Sequence, residues 1–347
     1  MITPKAKPKI ILDTDPGGDD SFALLWLLSL VKQGFTELVA VTTVDGNVHA
    51  RYTFAGASKL LKLAGFPSIE VGKGVIGGSE SDLEDAGGIH GADGMGNLSH
   101  TLPEIDVSYE DAAYSDDILI EKLQANPGEV VVIAIAPLTN LASAEKKCPG
   151  ILKNAKEIII MGGAFKVPGN IRPEAEFNIA YDVEAAATVF ASRDDIVVIP
   201  LDVTKQLIFT NEMAKQVSQI NPESGISKFI VSLCEFMTKT ALAFRETQGK
   251  QGFLVHDAAT LAYLFYPETL LFRRADVMIE TKGEWTRGKT LFDRRNKTKF
   301  GANAWVAMEV DSVNLLAVMI EDLKVLISLD LDPRLLEEVG DLGSSLL

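Results

Sequence analysis

Short apolar runs rich in Val and Ile alternate along the chain with longer stretches at helical spacing. Because each run is apolar throughout, it is typical of a strand buried on both faces of a sheet. Strands and helices in alternation form right-handed βαβ units, so the pattern predicts an α/β fold with a single open, mostly parallel β-sheet flanked by helices. The predicted strands are Lys9–Asp13, Leu38–Thr43, Ile69–Val71, Val130–Ile135, Glu157–Met161, Ile196–Leu201, Val277–Glu280 and Trp305–Glu309. The predicted helices are Asp20–Val31, Arg51–Ala64, Ser115–Ala125, Asn140–Cys148, Asp182–Ala191, Phe229–Arg245 and His256–Phe265.

No internal repeat, low-complexity tract or Pro/Ser-rich linker divides the 347 residues. Hydrophobic residues make up 47% of the chain, which is enough for a large buried core and too much for a disordered protein. We therefore expect residues 1–347 to form one domain. The Gly-, Ser- and Asp-rich segment Gly72–Gly96 predicts a long surface loop, and loops of this length are commonly functional.

The charge of the chain excludes some partners. Its 33 Lys and Arg against 48 Asp and Glu give a net charge of -15, which repels phosphate backbones and anionic lipid. We therefore expect neither nucleic acid nor a membrane as a partner. No apolar run is long enough for a transmembrane helix, and Met1–Lys9 lacks the apolar core of a signal peptide. Cys148 and Cys234 are too few for a disulfide framework, so we expect a cytoplasmic protein.

The most informative segment is the acidic turn Asp13–Asp20, which follows the first predicted strand and holds four aspartates among eight residues. Such a cluster repels itself unless a positive charge neutralises it, and oxygen ligands favour Ca²⁺ or Mg²⁺. A solvated turn with Asp20 as the helix N-cap is the plain alternative. An EF-hand loop is excluded, since Leu24 stands where its twelfth, acidic ligand is needed. The turn also superficially resembles the haloacid-dehalogenase phosphatase motif, whose distal partners we cannot place.

Other polar residues follow other predicted strands, and ligands of open α/β sheets bind beyond the carboxyl ends of strands. Asn47 follows the second strand, and Pro137 leaves the carbonyl groups at the end of another strand free to coordinate a metal. Two amides and one acid follow Met161 within nine residues: Asn170, Glu176 and Asn178. These donors and acceptors suit a polyhydroxylated ligand, although a polar surface loop explains them equally well.

Two histidines stand in chemically suggestive surroundings. His256 precedes Asp257 at the start of a predicted helix, where Asp257 is either an N-cap or a further metal ligand and His256 a proton donor. His90 lies in a glycine-flanked loop that could fold over a ligand. A lone histidine is more often structural than catalytic.

The segment Gly283–Thr290 matches the P-loop pattern of nucleotide-binding proteins. A P-loop needs a following helix whose N-terminus cradles phosphate, and the charged residues after Thr290 do not form an apolar helix. We therefore predict a hairpin here and keep a metal-dependent phosphatase or NTPase only as a lesser alternative.

Taken together, these segments resemble the inosine–uridine-preferring nucleoside hydrolase family, whose most specific motif is the one at Asp13–Asp20. The supporting matches occur in the order of the family and cover nearly the whole chain. They are Thr42–Asn47, Ile89–Gly91, Pro137–Asn140, Met161–Gly163, Gly169–Asn170, Ala175–Asn178, Val255–Asp257 and Thr286–Gly288. The resemblance implies a Rossmann-like nucleoside hydrolase fold and a homo-oligomer, either a dimer or a tetramer.

The resemblance also implies a role for each matched residue. The Ca²⁺ ligands would be Asp15, Asp20, the main-chain oxygen of Ile135 and Asp257, with Asp15 also the general base that activates water. The ribose 2′ and 3′ hydroxyls would bind Asp19, Asn47 and Asn178, and the 5′ hydroxyl would bind Asn170 and Glu176. Met161 would pack near the sugar, His256 would be the general acid, His90 would contact the base or close over it, and Asp13 would support the site.

The implied reaction is hydrolysis of the N-glycosidic bond of a purine or pyrimidine nucleoside to ribose and free base. A protein that binds nucleoside or ribose without hydrolysis is the main alternative. Two positions depart from the family: Gly18, where a larger or different residue is common, and Ile135, where Thr is common. The resemblance implies that the region Phe229–Arg245 caps the base. This base-capping region contains Phe229, Phe236 and Phe244 but no Tyr, so the sequence does not predict a preference for purine or pyrimidine.

Overall fold

The computed structural model describes residues 7–75, 86–293, 295 and 301–328. Its strands are β1 (Lys9–Thr14), β2 (Glu37–Thr43), β3 (Val71–Gly72), β4 (Val130–Ala134), β5 (Glu157–Met161), β6 (Ile196–Ile199), β7 (Ile208–Phe209), β8 (Phe253–Leu254), β9 (Leu270–Ala275), β10 (Val277–Ile279), β11 (Thr290–Phe292) and β12 (Ala304–Val310). Its helices are α1 (Gly18–Lys32), α2 (Ala50–Leu63), α3 (Gly87–His90), α4 (Ser115–Ala125), α5 (Thr139–Lys147), α6 (Phe177–Tyr181), α7 (Val183–Ser192), α8 (Leu201–Thr204), α9 (Asn211–Ser218), α10 (Gly225–Ala243), α11 (Ala258–Phe265) and α12 (Ser312–Ser328).

Eight strands form the central sheet in the order β3-β2-β1-β4-β5-β6-β12-β9. All neighbouring pairs are parallel except β12 and β9, which are antiparallel at one edge. The predicted open, mostly parallel sheet is therefore confirmed. The strand order reverses between β1 and β4, and a crevice for a ligand opens at such a switch point, outside the carboxyl ends of the strands.

Both faces of the sheet are buried, as the continuous apolar runs predict. Alternate residues of a strand point to opposite faces, and on β1 Ile10 and Leu12 pack into one hydrophobic cluster while Ile11 packs into the other. The helix α1 is buried almost all round: Leu24, Leu25 and Trp26 are each at most 1% exposed. A helix that is apolar on all sides is a core element, so the turn that precedes α1 is anchored to the rigid centre of the protein.

Several predicted boundaries move by a few residues. The helix predicted from Asp20 begins at Gly18, because Asp20 is the third helical residue and its carboxylate accepts a hydrogen bond from the Gly17 N–H. The N-cap of α1 is Gly17, so the alternative prediction in which Asp20 caps this helix is wrong. The strand predicted over Ile69–Val71 is instead Val71–Gly72. The edge strand β9 and the long helix α12 were not predicted.

The P-loop-like segment Gly283–Thr290 lies in a hairpin, because β10 and β11 pair antiparallel on either side of it. A strand follows the motif where a P-loop requires a helix, so the NTPase interpretation is wrong. In the predicted loop Gly72–Gly96, residues 76–85 lie outside the described residues, and Gly87–His90 is one helical turn. Within the parts of the chain that the structure describes, no helix combines the length and apolar character needed to cross a bilayer.

Candidate active site

A cavity of about 640 Å³ opens at the carboxyl ends of the central strands. Asp15 follows β1, Asn47 follows β2, Ile135 follows β4 and Met161 ends β5, so the parallel sheet brings together residues far apart in the chain. All the predicted site residues except Asp15 line this cavity: Asp19, Asp20, Asn47, His90, Ile135, Met161, Asn170, Glu176, Asn178, His256 and Asp257.

Three carboxylates meet on one wall of the cavity. One oxygen each of Asp19, Asp20 and Asp257 lies within 4.8 Å of the others, a spacing that can hold a metal ion. Burial first, and then the charges of neighbouring carboxylates, raise the pKa of Asp19 and of Asp257 well above the usual range for Asp. Asp257 precedes α11, yet among the described residues its carboxylate caps no N–H of that helix. Its oxygens therefore remain available to a cation.

Asp15 lies beneath this wall and is 1% exposed. Its Oδ2 accepts a hydrogen bond from the Asn47 backbone N–H at 2.6 Å, while its Oδ1 has no partner among the described residues. Burial, followed by the charge of Asp20, raises the pKa of Asp15 well above its usual range. A buried carboxylate oxygen without a hydrogen-bond donor destabilises the fold. A cation, or a water molecule bound to that cation, would provide the missing partner.

Asp20 is held by four donors. The Thr14 hydroxyl (2.6 Å) and the Asp15 N–H (3.2 Å) donate to its Oδ1, and the Gly17 N–H and the Asn47 amide (both 3.0 Å) donate to its Oδ2. These bonds keep the Asp20 carboxylate in one orientation at the start of α1. Burial still raises its pKa from the usual value for Asp, although the donors oppose that shift.

Asp13 supports the site from the end of β1. Its Oδ1 accepts hydrogen bonds from the Thr42 hydroxyl at 2.6 Å and from the Asn140 amide at 2.7 Å, while its Oδ2 has no partner within the described residues. Asn140 also donates to the carbonyl oxygen of Thr43 at 2.9 Å. Asp13 thus ties β1 to β2 and to the start of α5, and burial raises its pKa to about 7.

On the opposite side, amides and carbonyl groups line the cavity. The Asn178 amide donates to the carbonyl oxygens of Ile135 (3.1 Å) and Met161 (3.2 Å), which bridges the ends of β4 and β5. The Ile135 oxygen that the resemblance assigns to a metal therefore already accepts one hydrogen bond, and a carbonyl oxygen has a second lone pair.

Glu176 and Asn170 also shape the backbone around α6. Glu176 is the N-cap of α6, and its carboxylate accepts hydrogen bonds from the N–H groups of Asn178, Ile179 and Gly163. Asn170 accepts from the Phe177 N–H at 2.9 Å. Both side chains line the cavity while they hold this turn in place, so their positions are set before any ligand binds.

The two predicted histidines face the cavity from different elements. His90, on α3, accepts a hydrogen bond at Nδ1 from the Gly18 N–H at 2.9 Å, and burial lowers its pKa to about 4. His256 Nδ1 lies 2.7 Å from the Thr204 hydroxyl. Burial, with a smaller contribution from the charge of Lys205, lowers the pKa of His256 to about 3. Both rings are therefore neutral at pH 7.

The cavity also has residues that sequence reasoning missed, among them Met237, Glu246, Phe253 and Leu254. The three phenylalanines of the predicted base-capping region lie in different environments. Phe229 is buried in the core, Phe236 packs against the core, and Phe244 is 57% exposed and lines the cavity. The helical spacing of these phenylalanines predicts a shared face, but Phe244 lies just past the end of α10 and so escapes that face.

Comparison with known proteins agrees with this architecture. Residues 10–317 match the family model described as inosine-uridine preferring nucleoside hydrolase. The chain is 34% identical to the probable uridine nucleosidase 1 of Oryza sativa subsp. japonica, across 91% of this chain and 96% of the relative. Its fold is similar to that of the plant nucleoside hydrolase PpNRh1, with a TM-score of 0.80, 32% identity and coverage of 92% of this chain and 99% of the other. It is also similar to a purine-preferring ribonucleoside hydrolase from Gardnerella vaginalis, with a TM-score of 0.83, 29% identity and coverage of 92% and 99%.

The family match spans nearly all of the central sheet, and the relatives with the same fold are nucleoside hydrolases. The chain therefore belongs to the inosine-uridine preferring nucleoside hydrolase family and is a ribonucleoside hydrolase.

Proposed function

We propose that this enzyme is a Ca²⁺-dependent ribonucleoside hydrolase that cleaves purine or pyrimidine nucleosides to ribose and free base. The observation that carries the proposal is the cluster of buried carboxylates beside Asn47 and Asn178 in one cavity. We further propose that residues 1–347 act as one nucleoside hydrolase-like domain, since the family match and the central sheet both run through most of the chain.

The residues fit a hard divalent cation. Asp15 Oδ1 lacks a donor within the described residues, and burial raises the pKa of Asp15 and of the three neighbouring carboxylates. Repulsion between carboxylates adds to this rise at Asp15, Asp19 and Asp257. We assign the cation to Asp15, Asp20, Asp257 and the main-chain oxygen of Ile135, a donor set of oxygens only, as Ca²⁺ prefers. When bound, the cation supplies positive charge that neutralises the cluster and lowers the pKa of nearby water.

The chain's own residues would then carry out the hydrolysis. Asp15 accepts the proton of the attacking water, whose oxygen forms the new bond to C1′ of the ribose. Asp19, Asn47 and Asn178 hold the 2′ and 3′ hydroxyls, Asn170 and Glu176 hold the 5′ hydroxyl, and Met161 packs near the sugar. These contacts orient the ring for an oxocarbenium-like transition state.

The departing nitrogen keeps the electron pair of the broken C1′–N bond and takes up a proton, for which we assign His256 as the donor. Burial lowers the pKa of His256 to about 3 in the free cavity. Negative charge that develops on the leaving base raises that pKa, which is the direction a proton donor requires. His90 contacts the base or closes over it.

The test is ribose release from inosine, uridine, adenosine and cytidine, with chelator and after Ca²⁺ is restored. Asp15→Asn should lower kcat by at least about a hundredfold while the fold persists, because Asn cannot accept the proton. Asp194→Asn, an exposed aspartate that does not line the cavity, is the matched control and should keep full activity. Full activity of Asp15→Asn, or turnover that chelator does not affect, would contradict the proposal.

The relatives differ in the base for which they are named. The rice relative is named for uridine and the Gardnerella enzyme for purines, and both share this fold or sequence.

A further inference from the structure

Five carboxylates line the cavity, and four of them already have a role in the site described above. Asp19, Asp20 and Asp257 form the acidic cluster, and Glu176 accepts backbone hydrogen bonds at the start of α6. The fifth, Glu246, follows α10, and no hydrogen bond to its carboxylate is present among the described residues. Its charge helps to raise the pKa of Asp19, so it lies within electrostatic reach of the acidic cluster. Glu246 is exposed at the cavity, so its carboxylate is free to accept N–H or O–H groups of a ligand in place of water.

The local backbone brings Glu246 and an aromatic residue, Phe244, to the same cavity. The helix α10 ends at Ala243, Arg245 adopts φ of +60°, and the Glu246 N–H donates to the Ala241 carbonyl at 2.9 Å. This turn directs Phe244 and Glu246 into the same cavity, where Phe244 lies close to Gly88. An exposed aromatic ring beside a carboxylate suits a flat heterocycle with donors on its edge.

We propose that Glu246 is a specificity-determining residue that favours nucleosides whose base carries an amino group next to a ring N–H, with guanosine as the best match. This inference rests on the proposed function, because it assigns the cavity beyond the sugar-binding residues to the base.

The chemistry follows from the two oxygens of a carboxylate, which accept two parallel N–H groups. The N1–H and 2-amino groups of guanine present such a pair. Hypoxanthine offers N1–H without the amino group, and uracil flanks its N3–H with two carbonyl oxygens that a carboxylate repels. Hydrogen bonds to a charged acceptor are stronger than neutral ones, so the pair discriminates guanine from hypoxanthine.

The experiment compares guanosine with inosine, which differ only in the 2-amino group. In the wild type we expect kcat/KM to be higher for guanosine, and in Glu246→Gln the guanosine-to-inosine ratio should fall about tenfold, a typical effect of losing a charge-assisted hydrogen bond. The matched control is Glu235→Gln, which removes the same charge from an exposed position of α10 outside the cavity and should leave the ratio unchanged.

An equal loss of kcat/KM for both nucleosides in Glu246→Gln would assign Glu246 to the sugar or to the fold, and an unchanged ratio would remove its role altogether. Either result overturns the inference while chelator-sensitive ribose release still supports the proposed function.

A binding measurement tests the inference without turnover. Equilibrium dialysis with radiolabelled guanine and hypoxanthine, which share N1–H and differ only in the 2-amino group, reports the binding of each free base. We expect Glu246→Gln to lower the guanine-to-hypoxanthine affinity ratio about tenfold. An equal ratio in wild type and variant would overturn the inference even if no nucleoside were hydrolysed.

Discussion

The absence of a side chain at Gly18 is explained by one neighbour. A Cβ atom at Gly18 would lie 2.6 Å from Met237 Sδ, well inside van der Waals contact. Met237 is 3% exposed and lines the cavity, so its side chain occupies the space that a larger residue at position 18 would need. The two positions therefore form a complementary pair at the edge of the site.

This pair predicts coupling between two substitutions. Gly18→Ala should lower the free energy of unfolding by about 1–3 kcal/mol, because Met237 must move out of a packed position. Met237→Ala removes the clash at the cost of a cavity. The double variant should therefore be more stable than the sum of the single effects, and urea unfolding of all four proteins measures the difference. Strict additivity would contradict the pairing.

At the scale of elements, Asp322 connects α12 to α1 and to the end of α11. Its carboxylate accepts hydrogen bonds from the Trp26 indole N–H (2.7 Å), the Gln33 amide (2.9 Å) and the Tyr266 hydroxyl (2.6 Å). The Ser29 hydroxyl donates to the Asp322 carbonyl oxygen as well. Because α1 begins at the acidic turn, this network anchors the helix that positions Asp19 and Asp20.

Asp322→Ala should lower the free energy of unfolding by about 3 kcal/mol, because it leaves the buried Trp26 N–H without an acceptor. Asp322→Asn keeps one acceptor oxygen and should lose less. Neither substitution touches the cavity, so KM should be unchanged at temperatures where the variant is folded. Chemical denaturation with parallel kinetics checks both statements, and an Ala variant as stable as the wild type would show that the network contributes nothing.

At the scale of the whole molecule, the proposed Ca²⁺ links the site to global stability. A cation that binds only the folded protein stabilises it by about 3 kcal/mol at a concentration a hundredfold above its Kd. In the metal-free protein, burial and mutual repulsion raise the pKa values of Asp15, Asp19 and Asp257. The folded state then keeps protons that the unfolded state releases, so the free energy of unfolding falls as the pH rises above the usual range for Asp.

Ca²⁺ competes with those protons, and its stabilising effect should be larger at pH 8 than at pH 5.5. The measurement is Tm with chelator and with excess Ca²⁺ at both pH values. A Ca²⁺-induced shift that is equal at the two pH values would contradict the assignment of the cation to these carboxylates, as would no shift at all.

Much of the sheet could be predicted from the sequence, because strands buried on both faces must be apolar throughout. The strand Glu157–Met161 and the helix Ser115–Ala125 have the predicted bounds. The edge strand Leu270–Ala275 was missed, since only its first and last residues are buried and it contains two arginines. Glu246 was not assigned to the base, because its position depends on the turn after α10 and not on helical spacing.

The sequence by itself determined the α/β class, the acidic turn and the family motifs, since apolar periodicity and clustered charge are local properties of the chain. Only the tertiary structure decided which side chains share the cavity. The reversal of strand order between β1 and β4 brings the ends of several strands together, and the burial that results is what shifts the pKa values of Asp15 and His256. Proximity and burial depend on contacts among all the elements of the fold, so no single segment of the chain determines them.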